Sequence, residues 1–173
     1  AKGGQMIANM PSYEIFTTPD YRKTNGIVYS SRPLVYGGKL IEDFSITFKD
    51  GKVVSVSAKK GQELLEKIIY ETPGAEYLGE VALVQNDSPI SNTGLVFNTT
   101  LYDENASCHL ALGRGFSKTF PGSETATDEE LHERGLNLCK NHIDFMIGTP
   151  DLDITAQTSE GQKLVFKKGN FNI

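Results

Sequence analysis

The sequence predicts an α+β fold, a mixed and mainly antiparallel sheet built from hairpins with a few flanking helices. Three observations predict it. Gly37-Gly38, Asp50-Gly51 and Ser159-Glu160-Gly161-Gln162 each separate two short apolar runs, which is how hairpins read in sequence. Leu64, Leu65, Ile68 and Ile69 recur at helical spacing between Gln62 and Tyr70. Thr127-Asp128-Glu129-Glu130 fits a capping box, the signature of a helix start.

Taken in order, residues 1–25 read as irregular, with Pro11 and Pro19 among polar residues. Gly26 to Ser30 and Leu34 to Tyr36 read as strands, and Lys39 to Phe48 returns after the Gly37-Gly38 turn. Val53 to Ala58 follows Asp50-Gly51 and completes a meander of about four strands. The amphipathic helix over 62–70 comes next, then a short buried strand from Glu80 to Val84. A helix from Thr127 to about Arg134 ends at Gly135. Ile143 to Ile147 is a further strand, and Ile154 to Thr158 pairs with Lys163 to Lys167. Gly113-Arg114-Gly115 lacks the full glycine fingerprint of a phosphate loop.

Composition narrows the function. The 173 residues suffice for one globular domain, and 38% hydrophobic residues support a packed core. A formal net charge of -5, with no extended basic run, argues against binding nucleic acid. No stretch of about eighteen apolar residues is present, so no membrane partner is expected. The start, Ala1-Lys2-Gly3-Gly4-Gln5, has no initiator methionine and no apolar leader, and the chain is expected to be part of a longer protein. Two cysteines, Cys108 and Cys139, are too few for a disulfide scaffold and predict a reduced, cytoplasmic setting.

Two stretches hold most of the chemistry: Tyr102-Asp103-Glu104-Asn105-Ala106-Ser107-Cys108-His109 and His142-Ile143-Asp144. Alternation along a strand puts His142 and Asp144 on one face. An imidazole beside a carboxylate suits a divalent metal such as zinc, cobalt or manganese, and equally a metal-free hydrogen-bonded pair. His109, read alone, is a core histidine satisfied by backbone. Glu80 opens an apolar strand, so its carboxylate is either exposed at the strand end or held inward by a cation. Glu14, read alone, is a solvated loop acid. His132, among Glu129, Glu130, Glu133 and Arg134, reads as part of a solvated helix face. Two rivals stand beside metal hydrolysis. Cys108-His109 with Cys139-x-x-His142 could form a structural zinc site, though adjacent ligands fit one ion poorly. Cys108 could also be a thiol nucleophile, without a supporting signature.

Asn9-Met10-Pro11-Ser12-x-Glu14-x-Phe16-Thr17-x-Pro19-Asp20 resembles a motif of the metallopeptidase family of aminopeptidase T, aminopeptidase S and PepS. Further blocks match in order: Leu78 to Val84, Gly94-Leu95-Val96-Phe97, Asp103 to His109, and His142 to Gly148. The resemblance runs from Asn9 to Ile173, and it implies that residues 1–173 are the C-terminal, metal-carrying domain of a longer aminopeptidase.

The resemblance further implies two divalent ions held by Glu14, Glu80, His109, His142 and Asp144. Glu80 would bridge them, Glu14 and His109 completing one site, His142 and Asp144 the other. Glu14, Glu80 and Glu104 are the candidate catalytic residues, and Glu14 or Glu104 would carry the proton of the attacking water. Peptides with a free N-terminus would be the substrates and a homodimer the assembly. One departure stands out. The family carries a catalytic tyrosine where this chain has Phe116, and a phenyl ring donates no hydrogen bond. Tyr36 and Tyr102 are the alternative donors. A truncated domain that binds metal and dimerises without turnover is the competing reading.

Overall fold

The computed structural model describes residues 13–172. Ala1 to Gln5, and Asn9 to Ser12 of the first motif, lie outside the described residues. Three antiparallel sheets and a few short helices make up the described chain, as the α+β expectation requires.

The first sheet forms around the long strand β4. Strands β2 (Gly26–Tyr29) and β3 (Leu34–Tyr36) both pair along one edge of β4 (Lys39–Lys49), and β5 (Lys52–Lys60) pairs along the other. The turns fall at Gly37-Gly38 and Asp50-Gly51, where all four residues have positive φ. Two-residue hairpin turns demand that conformation, which is why glycine dominates them. Helix α1 (Gln62–Tyr70) buries Leu65, Ile68 and Ile69.

The second sheet carries the chemistry, and its order is β1-β6-β7-β8. Strand β1 (Glu14–Thr17) corrects the irregular reading of residues 1–25. Its four residues alternate too briefly to stand out, and pairing with β6 (Leu78–Val84) is what makes them a strand. Strand β6 begins two residues before Glu80, so the glutamate lies inside the strand rather than at its end. Strand β7 (His109–Gly113) was not legible from its uniformly apolar Leu110-Ala111-Leu112, and it pairs with β8 (His142–Met146). Helix α2 (Thr100–Asp103) and a 3₁₀ turn over 104–106 lead into β7.

Leu110, Leu112, Ile143 and Phe145 of this sheet join Phe44, Ile46 and Phe48 of β4 and the buried residues of α1 in one apolar cluster. The Phe44 and Phe145 rings lie 5.8 Å apart across the two sheets. Helix α3 (Asp128–Glu133) has the expected capping box, with Thr127 and Glu130 bonded reciprocally. His132 is not simply solvated. It stacks on Tyr21 at 4.9 Å, and its Nδ1–H donates to the Leu136 carbonyl. The third sheet is the hairpin of β9 (Ile154–Thr158) and β10 (Gly161–Lys167) with the short β11 (Asn170–Phe171). No helix among the described residues is long and apolar enough to cross a membrane.

Candidate metal centre

Register alone brings the polar residues together. Directly opposed residues in an antiparallel pair share a face, as do residues two apart along a strand. Phe16 of β1 opposes Ala82 of β6, Ala82 opposes His109 of β7, and Glu80 opposes Ala111. Ala111 opposes Asp144 of β8, and Gly113 opposes His142. Glu14, Glu80, His109, His142 and Asp144 therefore stand on one face. The two middle strands contribute Ala82, Ala111 and Gly113 between them, which leaves room above the sheet for longer side chains to converge. Gly113 has φ +96, and a Cβ there would collide with the Asn141 carbonyl. Its freedom lets β7 end where the Arg114 carbonyl meets His142.

The groups interlock through three clusters whose donor atoms lie within 4.8 Å of one another: Glu14, Glu80 and His109; Glu80, His142 and Asp144; and Glu104, His109 and Asp144. His109 Nε2 is 3.3 Å from Glu14 Oε2. His142 Nε2 is 3.0 Å from both Glu80 Oε2 and Asp144 Oδ1. Each imidazole is anchored at its other nitrogen. His109 Nδ1–H donates to the Ser107 carbonyl at 3.0 Å, and His142 Nδ1–H to the Arg114 carbonyl at 2.7 Å.

Burial shapes the electrostatics. Burial is the strongest influence on His109 and pulls its pKa down, but the Glu14 carboxylate and the Ser107 carbonyl outweigh it and raise the value to about 9. His142 follows the same pattern. Burial lowers it, and the Asp144 and Glu80 carboxylates lift it to about 10. Glu104 is pushed up to about 7 by burial first and by the Asp144 charge next, with His109 opposing.

The donor set fits a divalent metal. Carboxylate oxygens and imidazole nitrogens suit zinc, cobalt or manganese. Both histidines offer Nε2 inward while Nδ1–H is held by a backbone carbonyl, the arrangement that fixes metal-binding imidazoles.

The structure gathers every residue singled out as a ligand, and Glu104 with them. Glu14 is a strand residue with its side chain 3% exposed, against the solvated-loop reading. Neither cysteine joins a cluster of ligand-type groups among the described residues. The Cys108 thiol bonds to the Val84 backbone, and Cys139 Sγ accepts from the Asn141 N–H. That removes the structural Cys2His2 site. Tyr36 lies elsewhere, in a groove with Leu64, Lys67 and Ile68. Phe116 does adjoin the site, its ring 5.0 Å from the His142 ring.

Sequence reasoning missed the supporting residues. Asn105 is buried, and its side-chain oxygen accepts from the Tyr13 N–H, tying the start of β1 to the Glu104 turn. Asp103 is buried and accepts from the N–H groups of Phe97 and Thr99. The segment before His109 is mostly polar, so neither residue stands out in the sequence.

Comparison with known proteins gives the family. Residues 1–171 match the family described as thermophilic metalloprotease (M29). The chain is 44% identical over 170 residues to aminopeptidase AmpS of Bacillus subtilis, covering 98% of this chain and 42% of that protein. It is 39% identical over 173 residues to aminopeptidase T of Thermus aquaticus, covering 99% of this chain and 42% of the relative. The solved structure of wild-type AmpT from Thermus thermophilus superposes with a TM-score of 0.89 at 38% identity, covering 99% of this chain and 43% of that one. The chain thus spans about two fifths of the length of these relatives, which fits the C-terminal part named by the motifs. On family match, identity and superposition together, the chain belongs to the thermophilic metalloprotease family M29.

Proposed function

We propose that this protein is a metal-dependent aminopeptidase that hydrolyses the first peptide bond of peptides with a free N-terminus, using two divalent ions of zinc, cobalt or manganese. One observation carries the reading. Glu80 belongs to two ligand clusters at once, one with Glu14 and His109 and one with His142 and Asp144. A carboxylate has two oxygens and can serve both. Glu14, Glu80 and His109 would hold one ion, and Glu80, His142 and Asp144 the other. Bound there, the ions would supply Lewis acidity, bringing a water's pKa toward neutrality and stabilising charge on the scissile carbonyl oxygen.

The remaining work falls to the protein's own groups. The Ser107 and Arg114 carbonyls keep both imidazoles turned inward. Glu104 adjoins His109 and Asp144, one member from each of the other two clusters. That place suits it to take the proton of the attacking water on its carboxylate and return it to the amine nitrogen as the C–N bond breaks. Glu14 is set against His109 as a ligand-type group, so Glu104 is the better proton carrier of the two. The substrate's free N-terminal amine would be held by one of the ions or by an acidic side chain, which would give exopeptidase selectivity. A homodimer in a reducing cytoplasm completes the reading, in keeping with two free, buried cysteines.

The full-length protein is expected to cleave an aminoacyl-p-nitroanilide with metal added, and to lose that activity on chelation and in Glu80→Gln. Mass spectrometry should count two ions per chain, and light scattering a dimer. A single ion per chain overturns the two-metal assignment. Phe116 favours a second reading, a metal-binding domain without turnover, because its phenyl ring beside His142 cannot donate to an oxyanion. No cleavage at full metal occupancy selects that reading.

A further inference from the structure

We propose that Phe116, backed by Phe16, forms the apolar wall that receives the side chain of the substrate's N-terminal residue, so that peptides beginning with an aromatic or large aliphatic residue are preferred. The inference rests on the aminopeptidase reading and names its substrate class.

Among the described residues the cluster is most open at His142. The His142 side chain is 26% exposed and that of Asp144 11%, whereas those of Glu80, Glu14 and His109 are 5%, 3% and 1% exposed. A substrate therefore arrives at His142. What flanks His142 there is Phe116, edge-on to the imidazole at 5.0 Å and itself 40% exposed. Phe16 packs edge-on against Phe116 at 5.2 Å and shares the sheet face of Glu14.

The main chain at Phe116 is held on both sides. The Phe116 N–H donates to Thr18 Oγ1 at 2.8 Å, and the Phe116 carbonyl accepts from the Thr119 hydroxyl at 2.7 Å. An exposed phenyl ring packed beside His142 at the mouth of a polar cluster gains by covering its face with another apolar group. Arg114, one of the two cations that lie two residues away, is paired with Asp128 at 3.5 Å.

The test uses the metal-loaded full-length protein and two probes, L-phenylalaninamide and L-alaninamide, with the matching p-nitroanilides as substrates. Wild type should bind the phenylalanine amide at least about tenfold tighter, a ratio typical of apolar pockets. Phe116→Ala should lower the Phe-over-Ala ratio of both binding and kcat/KM by about tenfold, largely through KM, with metal stoichiometry retained. Phe116→Leu should keep preference for a leucine substrate, which separates a lost wall from a misfolded site. Equal binding of the two amides by wild type overturns the inference, whether or not either anilide is cleaved. So does a Phe116→Ala protein that keeps its metal and its Phe-over-Ala ratio. Preferential amide binding that is lost in Phe116→Ala, with no cleavage by wild type, upholds the wall and ends the aminopeptidase reading instead.

Discussion

The β1-β6-β7-β8 sheet presents two faces made from the same strands. One carries Val81, Leu110, Leu112, Ile143 and Phe145 and packs into the apolar cluster shared with β4 and α1. The other carries Glu14, Glu80, His109, His142 and Asp144, with donor atoms within 4.8 Å of one another in interlocking groups. The apolar face fixes where each strand lies, and register then fixes where each polar group on the opposite face must be. A shift of one residue would send every ligand-type group into the core. Packing on one side thus positions the five strand-borne groups on the other, and the turn before β7 adds Glu104.

The sharpest way to break the polar face is at Glu80, its shared member. Glu80→Gln should lower metal-dependent hydrolysis by about a thousandfold and reduce the ions counted per chain. Folding should persist, because the apolar face is untouched. A variant that binds both ions and turns over normally removes Glu80 from the centre.

The apolar face is broken at Phe145, fully buried against Phe44. Phe145→Ala should cost about 3–5 kcal/mol by the usual loss on emptying such a site. Denaturant titration measures it. If the two faces are coupled as described, metal affinity should fall as well, because β8 carries Asp144 beside Phe145.

Proton linkage sharpens the comparison. In the metal-free protein His109 and His142 are raised from the ordinary 6.5 to about 9 and about 10. Their folded values exceed the unfolded one. The stability they contribute is therefore fully present below about pH 6.5 and is lost as pH rises through about 9 to 10. Metal must displace those protons, so metal affinity should weaken as pH falls from 8 to 6, with proton release detectable by titration calorimetry in buffers of different ionisation enthalpy. Affinity that is flat across this range contradicts the protonated state of both imidazoles.

The smallest effect belongs to residues of neither functional group. The Cys108→Ser, Cys139→Ser double variant should retain its full metal count, with some stability lost from two buried sites. Loss of an ion would restore a thiol to the centre.

Much of the frame was readable without coordinates. Turn residues at Gly37-Gly38 and Asp50-Gly51, the period of α1 and the capping box of α3 are local signals, and each appeared where expected. Strands β1 and β7 were not readable. One is too short for its alternation to register, and the other alternates Leu110 and Leu112 only with Ala111 and Gly113 after His109, so it shows no polar alternation. The His142 and Asp144 pair was legible because both residues sit on one strand. His109 alone looked like any core histidine. The solvated readings of Glu14 and His132 failed for a shared reason: exposure depends on what packs above a residue, and sequence neighbours do not report it.

By itself the sequence determined the class of fold, the turn positions and, through its motif blocks, the family. Only the tertiary structure decided that carboxylates from β1, β6, β8 and the turn before β7 meet two imidazoles on one face, and that Phe116 stands where that face opens. The physical reason is range. Turns and helix caps are fixed by residues within a few positions of one another, whereas the centre is assembled by strand pairing between segments as far apart as Phe16 and Ala82, or Ala111 and Asp144.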